Sequence, residues 1–339
     1  MLKELIVDDY GVNLSKKSER LIIKKDGKVI EEIAIKELED LIITSKCGVV
    51  SIALLEELIT NGTQIHFVNY KEEPFITAYT PALHGSIKAR REQLLSYHDE
   101  RGVLFIKECI TTKIQNQINV IKYFLKSRKE LDVANILKEE IQGMKKSIKA
   151  IEQLHALCID DIRLSIDAYE GQAAKRYWKC VRFILEDKID FPSRKPRSKD
   201  IVNMMLDYGY AILRSRVTSS IIRSGLEPYG GFLHVDRSGR PSLVLDFMEI
   251  FRPAVVDRAI ISILTRGFQP KLEEKEDGQL FMNKPTLSTI RDYINKRLNS
   301  REEFQGKDYM VKTIIQMQAR MLSSFFKREG EFKGHTSRW

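Results

Sequence analysis

Apolar positions change period once along this chain of 339 residues. Over roughly the first 80 residues they come in short β-branched runs, which predict strands. Leu21-Ile22-Ile23-Lys24-Lys25 is one such run. Asp26-Gly27 then supplies a tight turn, because Gly tolerates positive φ, and Val29, Glu31 and Ile33 begin the return strand. Leu41-Ile42-Ile43-Thr44 is another strand. Ser51 to Ile59 reads as a helix, with Ser51 as N-cap and Asn61-Gly62 as its stop. Gln64 to Val68 and Phe75 to Tyr79 close the segment as strands. Strands with one short helix predict a small β-sandwich-like domain over residues 1–80.

The stretch Pro81 to Gly85 breaks the pattern, so a linker is expected over 81–90. After it the period becomes helical. Ile114, Ile118, Ile121 and Leu125 recur on one helix face, as do Ile141, Met144, Ile148 and Ile151. Met310, Ile314, Met317, Met321 and Phe325 form a third stripe, and all three stripes read as core. The exception is Asp190 to Lys199, where two prolines and four basic positions predict a loop. The fold class expected is α+β: the small N-terminal β-sandwich-like domain, then a larger all-α domain over 91–330. Residues 331–339 are expected to form a frayed tail.

Composition narrows the class. Hydrophobic residues are 43% and charged residues 30%, which suits a soluble globular protein. No apolar run reaches the ~20 residues that span a bilayer, and Met1-Leu2-Lys3-Glu4 does not open a signal peptide, so no membrane association is expected. The net charge is +9, which suits a polyanionic partner without proving one. Cys47, Cys109, Cys158 and Cys180 stand far apart with no C-x-x-C pair. They read as buried thiols of a reducing cytoplasm, not as a zinc or redox motif. Abundant Lys and Glu with scarce Cys lean toward a thermophile.

Three segments of the helical half carry candidate chemistry. In Tyr169 to Trp178, helical spacing puts Glu170, Ala173, Ala174 and Tyr177 on one face. A carboxylate among alanines is costly when unpaired, so it reads either as a surface acid at a helix turn or as a metal ligand. Gly171 beside it suggests a helix start or a close backbone approach. In Pro228 to His234, two glycines make a turn able to present an imidazole, and a neutral His is a common metal ligand. In Leu243 to Pro253, Asp246 and Glu249 share a helix face within an apolar run. Arg252 would neutralise them structurally, and a divalent cation would do so functionally. Glu170, His234, Asp246 and Glu249 together are hard oxygens with one imidazole, a set that suits Mg²⁺ or Mn²⁺.

At these segments the sequence resembles the CRISPR-associated endonuclease that acts as integrase subunit of the spacer-acquisition complex. The matching pieces are Glu170 to Trp178, Asn203 to Ala211, Gly225 to Pro228 with Gly231 to His234, Leu245 to Pro253, and Gln318-Ala319-Arg320. The resemblance implies that the helical domain is catalytic, that Glu170, His234 and Glu249 bind the metal, and that Asp246 supports or joins the site. It further implies a homodimer formed mainly through the β-rich domain, a small ferredoxin-like partner protein, and double-stranded and branched DNA as substrate. The reaction would be attack of a DNA 3′-hydroxyl on a target phosphodiester, or hydrolysis where water takes its place.

Candidate DNA contacts are Arg194, Lys195, Arg197 and Lys199 on the proline-broken loop, then Lys88, Arg90 and Arg91 after the linker. Arg214, Arg216 and Arg223 lie near the site in sequence, and Tyr177 either orients a phosphate or packs the core. Three other functions stay open: a non-catalytic nucleic-acid-binding protein, a hydrolase of small phosphate compounds, and a stand-alone repair or recombination nuclease of the same fold.

Overall fold

The computed structural model describes residues 3–44, 48–69, 74–80, 86–126, 131–274, 278 and 280–339. The chain divides into two compact units, 1–84 and 85–339. The first contains, in order, β1 (Lys3–Val7), β2 (Asn13–Lys17), β3 (Arg20–Lys25), β4 (Lys28–Ala34), β5 (Leu38–Thr44), β6 (Val49–Val50), α1 (Ile52–Thr60), β7 (Gln64–Val68) and β8 (Pro74–Ala78). They build two four-stranded sheets, ordered β1-β5-β7-β8 and β4-β3-β2-β6.

The local reasons are those read from the sequence. Asp26 and Gly27 both have positive φ, the geometry of a two-residue hairpin turn between β3 and β4. Ser51 caps α1, its side chain accepting from the Leu54 N–H at 3.3 Å. Leu54 and Leu58, one turn apart, join Leu14, Leu21, Leu41, Ile43 and Ile65 in one buried cluster. One sheet, however, runs β1, β5 and β7 parallel, with only β8 antiparallel, so it is not a simple sandwich of hairpins.

The second unit contains α2 (Ser86–Leu95), α3 (Glu100–Leu125), α4 (Leu131–Glu152), α5 (Ile159–Leu185), α6 (Ile201–Arg223) and α7 (Ser242–Met248). A π-helical turn, Arg252–Asp257, leads into α8 (Arg258–Thr265), and α9 (Lys284–Leu298) and α10 (Val311–Phe326) follow. Side-chain caps start α3, α6 and α9: Asp99, Asp200 and Asn283 accept from Arg101, Asn203 and Thr286 N–H groups. The stripes on α3 and α4 face the core as read. On α10 Ile314 of the expected row is fully buried and Met310, Met317, Met321 and Phe325 are half-buried, while Val311, Ile315, Ala319, Leu322 and Phe326 form the rest of the apolar buried face.

Four expectations need correction. The unit is not all-α: hairpins β9 (Leu272–Glu274) with β10 (Leu280–Met282), and β11 (Arg301–Phe304) with β12 (Lys307–Met310), lie within it. Gln305 and Gly306 both take positive φ and turn the second hairpin. Residues 81–85 of the expected linker lie outside the described residues, and from Ser86 the chain is already helical. Cys47 also lies outside the described residues, while Cys109 and Cys180 are buried thiols and Cys158 is half-buried.

The largest correction is the segment 331–339, which is packed and not frayed. Asn116 on α3 donates to the carbonyls of Ile250 at 2.8 Å and His335 at 3.0 Å, and accepts from Ser337 N–H at 2.9 Å. Gln318 donates to Lys333 O and accepts from His335 N–H. His335 meets buried Glu302 at 2.8 Å. Burial alone would raise the Glu302 pKa, but His335 and Arg297 outweigh it and hold the carboxyl at about 2. Arg258 lies 4.1 Å from the ring centroids of both Trp339 and Tyr123. A polar segment can be ordered this firmly only because each buried polar group finds a partner.

A second buried network joins α5, α6 and the π-helical turn. Asp257 accepts from Tyr177 OH at 3.0 Å and Tyr210 OH at 2.5 Å. Burial raises its pKa from 3.8 to about 6, against the two phenol hydrogen bonds. The folded state therefore holds a proton, between those values, that the unfolded state has released. Stability from this group is lost as pH rises through that window. The stability gap between wild type and non-titrating Asp257→Asn should move in favour of wild type by about 2 kcal/mol on going from pH 7.5 to pH 4.5. Urea unfolding of both proteins at the two pH values measures it, and an unchanged gap rejects the shift.

Candidate metal centre

The site is assembled from α3, α5, the turn before α7 and the turn after it. Pro253 has no N–H to return to the carbonyl four residues back, so the α register ends after α7. The chain changes to the π register at Arg252, and π turns recur at functional sites. Gly209 lets α6 pack against that turn, since a Cβ there would lie 2.6 Å from Val256 Cγ1. This is the physical content of the Tyr208-Gly209-Tyr210 piece.

Gly231 has a similar role in the His234 turn. A Cβ on it would meet Ser242 Cβ at 2.5 Å, so only glycine lets the turn lie against the start of α7. The carbonyl of Pro228 accepts from Leu243 N–H at 3.1 Å. Asp246 answers from inside α7: its carboxylate accepts from the backbone N–H groups of Phe232 at 2.7 Å, Leu233 at 3.1 Å and His234 at 3.0 Å. The same carboxylate lies 2.6 Å from His234 Nδ1. Asp246 is 1% exposed and its oxygens are occupied. The sequence reading left open whether it joins a metal. Its bonds make it the group that holds the imidazole, fixing the proton on Nδ1 and leaving Nε2 as the lone-pair donor.

Glu249 follows one helical turn later and is 2% exposed. Arg252 holds its Oε1 at 2.6 Å, as the structural reading of that pair anticipates. Lys113 of α3 lies 2.6 Å from its Oε2 and 2.6 Å from Glu170 Oε1. Burial would raise the Glu249 pKa; Arg252 and Lys113 outweigh it and hold the carboxyl at about 2. For Lys113 burial works in the opposite sense, and Glu249 and Glu170 overcome it, raising the ammonium. Gly171 neither starts a helix nor meets a backbone: it sits inside α5 with nothing within 4 Å of its Cβ position, leaving open space beside Glu170.

The donor set of Glu170, Glu249 and His234 fits a hard divalent cation. Glu249 Oε2 is buried and, among the described residues, receives no well-directed hydrogen bond; the Lys113 ammonium lies beside it at 2.6 Å. Among the described residues, though, no three Asp, Glu, His or Cys side chains are already gathered as a metal cage. The ammonium stands at the point where the two glutamates converge. Lys113 was not among the residues singled out by sequence. Its signal is faint: Lys113, Asn116 and Gln117 form a polar patch at i, i+3 and i+4 on an otherwise apolar face.

The proposed DNA contacts separate. Lys195, Arg197, Lys199, Lys88 and Arg91 are exposed, with Lys88 paired to Glu329 at 2.9 Å. Arg90 is half-buried near Glu227. Arg194 is turned inward, bonded to Asp207 and Asn203 and lying over the Tyr210 ring at 5.5 Å. Arg216 is buried, and Arg214 and Arg223 are half-buried on α6. Tyr177 is fully buried against Asp257, so its ring packs the core and cannot reach a phosphate.

The chain is similar to proteins already known. The family model "CRISPR associated protein Cas1" matches residues 5–296. A CRISPR-associated endonuclease Cas1 of Archaeoglobus fulgidus is 31% identical over 345 residues, covering 99% of each chain. A casposase bound to an integration product superposes with a TM-score of 0.79 at 21% identity, covering 98% of this chain and 93% of that one. A chain of a Cas6-RT-Cas1–Cas2 complex also reaches 0.79, at 20% identity, covering 99% of this chain and 36% of that one. At these identities the two structural likenesses are of fold.

Proposed function

The chain belongs to the CRISPR-associated Cas1 family, and from that premise we propose a divalent-metal-dependent DNA endonuclease and integrase that inserts short foreign duplexes into a CRISPR array. The observation that carries this reading is the convergence of Glu170 and Glu249, from separate segments, on one cation position. His234 is held beside that segment by Asp246, which stands one helical turn before Glu249.

Mg²⁺ or Mn²⁺ would be held by Glu170, Glu249 and Nε2 of His234. When bound, it supplies charge neutralisation at the phosphoryl oxygen and makes the attacking hydroxyl more acidic. The chain's own groups do the rest. Asp246 fixes the ring, and Arg252 keeps Glu249 ionised from its other oxygen. Exposed Lys195, Arg197, Lys199 and Arg91 offer charge to a phosphate backbone, which gives affinity without reading sequence. A DNA 3′-oxygen bonds to the target phosphorus as the target's own 3′-oxygen leaves, so no protein nucleophile is needed. Water in place of the hydroxyl turns the same site into a nuclease. The strand-rich unit would pair two copies, and a small ferredoxin-like protein would join them; a structural neighbour comes from a complex with Cas2, which supports a second protein as partner. Among the described residues no helix is long and apolar enough to cross a membrane.

The test incubates purified protein with branched DNA, and separately with a short duplex plus supercoiled plasmid, in Mn²⁺, Mg²⁺ or EDTA. Metal-dependent cleavage or strand transfer is expected, and EDTA should abolish it. Binding without reaction in every metal, with the ferredoxin-like partner also supplied, overturns the catalytic reading.

A further inference from the structure

The point where Glu170 and Glu249 meet is filled from within the chain. Lys113 reaches both carboxylates at 2.6 Å, and its side chain is only 13% exposed. A lysine on the buried side of a helix is costly unless its charge is met. Here it is met twice, by acids from α5 and from the turn after α7. Two carboxylates drawn together in a partly dry site would otherwise repel. Arg252 does not serve both: it sits on Glu249 Oε1, the oxygen that faces away from this contact.

We propose that Lys113 is an internal counter-ion, which holds Glu170 and Glu249 in place in the metal-free protein and is displaced from between them by a divalent cation. The inference rests on the metal reading of this site. Lysine suits the task because it is a compact charge on a flexible stem, able to withdraw, whereas a guanidinium would grip a carboxylate through two bonds. The metal then enters a site whose acids are already oriented, but it does so against a resident competitor. Removing that competitor should weaken the metal-free protein and tighten its hold on metal.

The experiment uses Lys113→Met, which keeps most of the stem and loses the charge, and Lys113→Gln, which keeps polarity in case the first folds poorly. Mn²⁺ binding is followed by the electron paramagnetic resonance of the free ion, and melting temperature is recorded with EDTA and with Mn²⁺. Each variant is expected to melt below wild type in EDTA, to bind Mn²⁺ at least about tenfold more tightly, and to gain more in melting temperature from the metal. If wild type binds Mn²⁺ and the folded variants bind it equally or more weakly, Lys113 is not a competitor and the inference falls alone. If neither wild type nor variant binds Mn²⁺, the metal reading of the site falls with it.

Discussion

Glu170→Ala and His234→Ala are each expected to slow DNA cleavage and strand transfer by more than about 10³-fold, since a lost ligand forfeits several kcal/mol of charge stabilisation at the phosphorus. DNA affinity should stay within about twofold, because on the proposed reading the exposed basic residues, not these two, would meet the phosphate backbone. The fold should survive both changes. Glu170 and His234 side chains are 24% and 21% exposed, so neither leaves a large cavity. In Glu170→Ala, Lys113 still has Glu249 to pair with. Initial rates on branched DNA, gel-shift affinity and melting curves check the three statements. Variants that keep wild-type rates would remove these residues from the site even though the family stands.

Asp246 should show a different signature. Asp246→Ala strands three backbone N–H groups and one ring N–H that now share a single buried carboxylate. Hydrogen bonds to a charged group are each worth ~1.5–3 kcal/mol, and buried donors left bare add to the loss. A loss of about 4 kcal/mol or more is expected, a fall in melting temperature of ~10 °C for a unit of this size. Asp246→Asn keeps the shape but turns an amide N–H₂ toward donors. It should fold, and lose ~10–100-fold in activity and metal affinity, as removal of a group behind a metal ligand does. Urea unfolding with parallel rate measurements separates the two variants. Wild-type activity in Asp246→Asn would show that the carboxylate does not orient the ring.

The sequence carried the site's acids and its imidazole, because each stands out against apolar or glycine-rich neighbours. It also carried the strand and helix periods, the Asp26-Gly27 hairpin and the Ser51 cap, all of which are local. What it could not carry was pairing across long separations. Nothing near Asp246 says that its oxygens belong to the backbone twelve to fourteen residues earlier. Lys113 looks like an ordinary helical lysine until α5 is laid beside it. Arg194, a candidate DNA contact by its proline-broken loop, is drawn inward by Asn203 and Asp207 on α6. The segment 331–339 has loop-like composition, and its order comes from Asn116, Gln318 and Glu302 on three other elements. Tyr177 shows the converse: helical spacing assigned it to Glu170's face, but only packing could decide that this end of the face is dry.

The position of Asn116 also sets an order of assembly. It ties the carbonyl of Ile250, next to Glu249, to His335 and Ser337, residues separated from Asn116 by 219 and 221 positions. On a ribosome adding 5–20 residues per second, Ile250 is made roughly 4–17 s before Ser337. During that interval α3 and α5 can already pair, but the strap that secures the Glu249 turn does not yet exist. The Glu249 turn is therefore translated well before its strap, and a nascent or prematurely terminated chain carries it with Lys113 and Arg252 on its carboxylate but without the tie through Asn116 to His335 and Ser337.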